Sequence, residues 1–330
     1  MTQDMIQIRS RVRRIYMRFA ENEALGISPL YEELARTICF DEDLADFISS
    51  LPSEKQQPNL VFAVVRHLYG TPRDAQHFKS LIEARRDPIR AMILARSTQT
   101  NEPGRCSTLL PVLARLPQPL ALIEVGASAG LCLLPDYYGY DYGTVRLAPA
   151  SCSGVEAPVF PCVANAMTPL PGRLPTIVWR RGLDLHPIDL ADDEEVSWLE
   201  TLVWPGQEPR LARLRAAMDV ARDVRPSVDR SNLLTDVRAL AATAPAEATL
   251  VIFHSAVLGY LSSRHDIDTF VSTVTELHAV WISNEAPTVL PDISAGIRHT
   301  VPRNRFLLAV DGKPVAFTGP HGQLIDWFAD

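Results

Sequence analysis

No two of the five cysteines stand at a C-x-x-C spacing. Cys39, Cys106, Cys132, Cys152 and Cys162 are odd in number and scattered. That excludes a disulfide framework and a cysteine zinc site, and reads as reduced thiols of a cytosolic protein. The eight histidines show no metal-ligand spacing either, so no metal is expected. Long apolar runs are missing: the longest, ATLVIFHSAVLGYL, is too short to span a bilayer and contains His254. The opening residues, MTQDMIQIRSRVRRIYMRF, lack the apolar centre of a signal peptide. There are no internal repeats and no low-complexity tracts. Basic charge is not in excess, and a net charge of −7 argues against a nucleic-acid partner. The expectation is a soluble, cytoplasmic protein with neither membrane nor nucleic acid as a partner. Oligomeric state is not legible.

What is present is ordinary globular composition, 47% hydrophobic and 22% charged over 330 residues, enough for one large domain with an appendage or for two domains. Residues 1–117 read as an all-helical domain. Met5, Ile8, Val12, Ile15, Tyr16 and Phe19 recur at the period of one helix face. Ser28-Pro29 opens a helix, and Asp41-Glu42-Asp43 puts acids in another first turn. Asn59 to Tyr69 is a further helix ended by Gly70, and two more follow, broken at Asp87-Pro88.

From 118 to 330 the texture is α/β. LALIEV, TIVWRRGLDL, RPSVDRSN, LVIFHSAV and VWISNE read as strands, separated by helical stretches. That alternation predicts a mostly parallel sheet. A helical insertion covers about 190–225. Two apolar runs joined by Asp311-Gly312-Lys313 predict a C-terminal antiparallel hairpin.

The chemistry concentrates in LALIEVGASAGLCLL, residues 120–134, which reads as a strand, a small-residue loop and a short helix ending near Pro135. Gly126-Ala127-Ser128-Ala129-Gly130 fits the G-x-S-x-G of a serine hydrolase, with Ser128 as nucleophile and Asp229 or Asp236 with His254 as partners. The 117 helical residues before it leave no room for the earlier strands that such an elbow follows. The same loop fits a cofactor site at the carboxyl end of a first strand, with Glu124 at the strand end and glycines permitting close backbone approach. A helix start would favour negative charge on the ligand. A full G-x-G-x-x-G is absent, so an amino-acid-bearing cofactor suits the loop better than a dinucleotide. Asp184, followed by Leu185, ends the second strand, where a carboxylate's two oxygens can accept from a ribose diol.

Together, EVGASAG (124–130), GLDL (182–185) and Val228-Asp229 resemble the class I S-adenosylmethionine-dependent methyltransferases. The resemblance implies a methyltransferase-like, Rossmann-like domain over about 118–330 with S-adenosylmethionine as cofactor. It would be held by Glu124, Gly126, Ala127, Ser128, Gly130, Asp184, Leu185, Asp229, His254 and Ser255. More closely, EVGASAGL, RRGLDLHPIDLADDEEVSWLETLVWP, FHSAVLGYL and WISNEAP resemble a bacterial family known as domain of unknown function 2332, which brings no established activity.

On the acceptor side, His254 is positioned to take a proton, its ordinary pKa lying near working pH. Tyr260, Asn284 and Glu285 are expected to face the substrate. The expectation is a methyltransferase acting on a small-molecule acceptor, its helical N-terminal domain forming a lid or wall over the crevice. The alternatives are a serine hydrolase using Ser128 and a non-catalytic binding protein on the same fold.

Overall fold

The computed structural model describes residues 3–99, 101–149, 156–261, 263–297 and 299–329; Cys152 lies outside them. The chain divides into two compact units. The first comprises Met1–Thr100 with Asp193–Ala212, and the second Asn101–Asp192 with Arg213–Asp330.

The first unit is helical throughout its described residues. Helices cover Gln3–Phe19, Pro29–Phe40, Glu42–Ser49, Pro58–Tyr69, Ala75–Ala84 and Arg86–Ala95. Asp41 caps the third, its carboxylate accepting the Leu44 N–H at 3.0 Å. Gly70 ends the fourth with φ +80°. The break between the fifth and sixth falls at Arg85, not at Asp87-Pro88. Proline there sits in a first turn, where its missing N–H leaves no hydrogen bond unmade. The apolar faces converge on Tyr16, Phe19, Tyr31, Phe62 and Phe78, with Trp198 and Leu202 joining the same core. Full burial of each such side chain contributes about 1.5–3 kcal/mol. This shared core explains why residues 193–212 of the expected insertion group with the N-terminal helices.

The second unit is built on a nine-stranded sheet with a smaller three-stranded one. In chain order the strands of this unit are β1 (Leu120–Val125), β2 (Gly139–Asp141), β3 (Arg146–Leu147), β4 (Val159–Pro161), β5 (Val163–Ala164), β6 (Ile177–Asp184), β7 (Ser227–Arg230), β8 (Thr249–Ser255), β9 (Val280–Glu285), β10 (Phe306–Val310), β11 (Lys313–Thr318) and β12 (Leu324–Trp327). The large sheet runs β5-β12-β11-β10-β9-β8-β1-β6-β7, and β2, β3 and β4 form a small separate sheet. β7, β6, β1, β8 and β9 are mutually parallel, while β10, β11 and β12 form an antiparallel meander beyond β9. The parallel part has the strand order 3-2-1-4-5 of a doubly wound sheet, whose direction of winding reverses between β1 and β8. Asp311 and Gly312, both at positive φ, make the two-residue turn between β10 and β11.

Two expectations change here. Residues 101–117 belong with the sheet, held by bonds such as Arg105 Nη1 to the Ser255 carbonyl (3.0 Å) and Tyr142 Oη to the Ser107 carbonyl (2.6 Å). The helix expected after the Gly126–Gly130 loop is absent: two single 3₁₀ turns, Leu131–Leu133 and Pro135–Tyr137, take its place. Gly130 in a left-handed conformation and Pro135 leave too few residues for an α-helical nucleus. The loop therefore leads into a 3₁₀ turn and not into an α-helix N-terminus.

Candidate functional site at the sheet's switch point

In a doubly wound sheet, the crevice lies outside the carboxyl ends of the strands where the winding reverses. Here those ends are Val125 on β1 and its register partner His254 on β8. Successive side chains on a strand point to opposite faces, and register partners share a face. His254 therefore lies on the face opposite Glu124. These two residues, expected in one crevice, are separated by the pleat.

On the His254 face the polar groups satisfy one another. Trp281 Nε1–H lies 3.0 Å from His254 Nε2, and an indole can only donate. Nε2 is therefore the acceptor, and Nδ1 carries the hydrogen given to Glu285 Oε1 at 2.8 Å. The same carboxylate oxygen accepts the N–H groups of Val257 (3.0 Å) and Leu258 (3.2 Å). Phe270 meets the imidazole edge to face. Both nitrogens are in use and the ring is fully buried, so the geometry gives His254 and Glu285 a structural bond and offers no acceptor-facing base.

The other face is different. Asn284 Nδ2 donates to Ser255 Oγ (3.3 Å) and Asn284 Oδ1 accepts from Thr318 Oγ1 (2.7 Å). The Ser255 carbonyl accepts from Arg105. Glu124 is 5% exposed and its Oε2 has no hydrogen-bond partner. Ser128 is 2% exposed and its Oγ has none. Burial, above all, pushes the Glu124 carboxyl well above the usual carboxylate range, with Cys132 adding to the rise and the Arg105 guanidinium opposing it.

The Gly126–Gly130 loop is held tightly. Gly126, Ser128 and Gly130 all have positive φ, as does Ala256 in the loop after β8. Two non-glycine residues in the left-handed region, one on each loop at the switch point, store backbone strain of about 1–3 kcal/mol each. The Ser128 N–H donates to Asp184 Oδ2 at 2.8 Å, and the His186 N–H donates to Asp184 Oδ1 at 2.8 Å. Asp184 thus ties the loop to the end of β6. A Cβ on Gly126 would strike Val257, one on Gly130 would press on Val228 and Pro226, and one on Gly182 would strike Ala127. These glycines make room for protein side chains, a reason for them that the motif alone did not suggest.

The remaining expected site residues and their neighbours are dispersed. Asp229 forms an ion pair with Arg181 at 2.8 Å, and Arg180 holds Asp136 through two bonds of 2.7 and 2.8 Å. Leu185 and Tyr260 are exposed. Tyr138, Tyr140 and Tyr142 are buried with their hydroxyls on backbone carbonyls. The segment Asn101–Arg105 carried no motif, yet it frames the site: Asn101 Oδ1 accepts the Leu131 N–H at 2.9 Å, and Arg105 reaches Ser255. Among the described residues, no group of three His, Cys, Asp or Glu side chains forms a metal-ligand set, and no helix is long and apolar enough to cross a membrane.

The fold and site define a mixed α/β protein with a mostly parallel sheet, a helical N-terminal region and a buried polar cluster at the switch point. The chain belongs to a family described as an uncharacterized protein conserved in bacteria, domain of unknown function 2332, which matches residues 13–327. Neither a curated protein nor a solved structure matches it.

The buried Glu124 carboxyl makes stability depend on pH. Below the ordinary glutamate range both folded and unfolded chains hold the proton. Above it the unfolded chain releases the proton and the folded chain keeps it, so stability falls with rising pH by about 1.4 kcal/mol per unit until the folded carboxyl ionises. A Glu124→Gln variant is expected to lack this component, so its melting temperature gains on the parent's as the pH rises above the ordinary glutamate range. Parallel melting curves for the two proteins above that range would argue against the assignment.

Proposed function

We propose that this chain binds S-adenosylmethionine at the carboxyl edge of β1, on the Glu124 face of a methyltransferase-like domain, and transfers its methyl group to a small molecule. The observation that carries the reading is the pair of buried, partnerless polar atoms, Glu124 Oε2 and Ser128 Oγ, at the switch point. Buried polar atoms are normally satisfied, and a ligand's hydroxyl or ammonium donors suit a carboxylate and a hydroxyl in need of partners. The residues fit the cofactor in this respect. When bound, the cofactor supplies a methyl group on a sulfonium that is already reactive.

The chain's own contribution is placement. Asp184 acts as a positioning residue, fixing the loop through the Ser128 N–H. Asn284 and Ser255 sit on the same face and line the acceptor side. With the nitrogens of His254 engaged, alignment of an acceptor that already bears a lone pair supplies the rate. Calorimetric titration with S-adenosylmethionine and S-adenosylhomocysteine is expected to give saturable one-to-one binding to both. Loss of a charged hydrogen bond in Glu124→Ala is expected to weaken it by at least about tenfold. No heat with either ligand would remove the reading.

A serine hydrolase remains the second reading, favoured by the positive φ of Ser128 in G-x-S-x-G. It predicts fluorophosphonate labelling that Ser128→Ala abolishes. Ser128 Oγ has no base beside it, so no labelling is expected. A non-catalytic binding protein on the same fold would bind without turning over any acceptor.

A further inference from the structure

Arg105 is 7% exposed. Its Nε donates to the Pro320 carbonyl at 2.9 Å and its Nη1 to the Ser255 carbonyl at 3.0 Å, and the guanidinium stands 5.6 Å from the centroid of the Phe306 ring. All three neighbours are neutral, and among the described residues no carboxylate forms an ion pair with it. Arginine is almost never this buried unless paired, because desolvating its charge costs several kcal/mol that neutral carbonyls only partly offset. Its carbonyl partner Ser255 ends β8, directly beside β1, and Glu124 lies on that side of the sheet with its own Oε2 unpartnered. A buried cation and a buried carboxyl thus lie on the same side of the sheet without hydrogen-bonding to each other.

A molecule that carries a carboxylate and an ammonium on one carbon would complement both. We infer that Arg105 and Glu124 form a receptor for the α-amino-acid group of this site's ligand, Arg105 taking the carboxylate and Glu124 the ammonium. This rests on the cofactor reading in one respect: S-adenosylmethionine is then held by its methionine end. The alternative is that Arg105 only ties the segment before β1 to the turn at Pro320 and takes no part in recognition.

Calorimetry on the unaltered protein separates these outcomes. The probes are S-adenosylmethionine, its decarboxylated form, 5′-methylthioadenosine and a panel of free L-amino acids led by L-methionine. Removing the carboxylate is expected to weaken binding about 10- to 100-fold, and removing both charged groups more, since each charged hydrogen bond is worth about 1.5–3 kcal/mol. Arg105→Lys, which keeps the charge but loses the fork, is expected to weaken only probes that carry a carboxylate. A purely structural arginine would weaken all of them alike. Binding should also release a proton as Glu124 ionises to meet the ammonium, read as heats that vary with buffer ionisation enthalpy.

Equal affinity for S-adenosylmethionine and its decarboxylated form overturns the receptor and leaves the cofactor reading standing. Binding of a free amino acid without any adenosyl compound does the reverse. Binding by none of the probes overturns both.

Discussion

A Gly322→Ala variant is expected to lose about 2–5 kcal/mol of stability, a large part of the roughly 5–15 kcal/mol that holds a domain of this kind. Two separate effects add. Gly322 has φ +75°, where an L side chain costs about 1–2 kcal/mol. Its missing Cβ would also collide with the Gly104 carbonyl and its carbon, and backbone cannot rotate away as a side chain can. Moving Gly104 disturbs the rest of the segment: Ser107 Oγ donates to the Gly322 carbonyl at 2.9 Å, and Arg105 Nε to that of Pro320. Gly143→Ala is the control. Gly143 shares the positive φ, at +81°, but an added Cβ there meets nothing within 4 Å. Urea unfolding of the two variants beside the parent isolates the collision. A Gly322→Ala midpoint equal to that of Gly143→Ala would mean that the contact between residues 104 and 322 is not tight in solution.

That contact also marks the limit of what could be read from the chain alone. The parallel strands were legible because strands covered on both faces read as near-continuous apolar runs, and LALIEV and LVIFHSAV are such runs. The β10–β11 turn was legible because Asp-Gly at positive φ fits the twist of a hairpin. The third strand of the meander, Leu324–Trp327, escaped notice, since four residues after a Gly-Pro-His-Gly stretch give too short a pattern.

Of the site, Glu124, Ser255 and Asn284 lie at strand ends, as their apolar runs led one to expect, and share one face, with Ser128 in the loop that follows β1. The separation of His254 from Glu124 depends on which residues are register partners, and pairing between residues 129 apart, such as Val125 and His254, is not written locally. Arg105 was invisible for the same reason. Asn-Glu-Pro-Gly-Arg reads as a polar loop, and its partner at Pro320 is 215 residues away. One signal was available: a glycine at 104 and another at 322, each in a loop, are the residues that let two backbones touch.

The second large effect is expected from Glu285→Ala. Its Oε1 accepts three hydrogen bonds, from His254 Nδ1 and from the N–H groups of Val257 and Leu258, in a site where Glu285 and His254 are essentially sealed from water. Truncation leaves three donors with nothing to bond and no solvent to replace the oxygen. Each such group costs about 1–3 kcal/mol, so the three together put the loss at about 3 kcal/mol or more.

Glu285→Gln keeps one oxygen for the three donors but adds an NH₂ that needs acceptors of its own, so an intermediate loss is expected. The two partners should also be coupled. With Glu285 gone, the Nδ1–H of His254 is already orphaned, and removing the ring then costs less than it does in the intact protein. A double-mutant cycle with His254→Ala is expected to give a coupling energy of about 0.5–3 kcal/mol. Additive losses would contradict the bond.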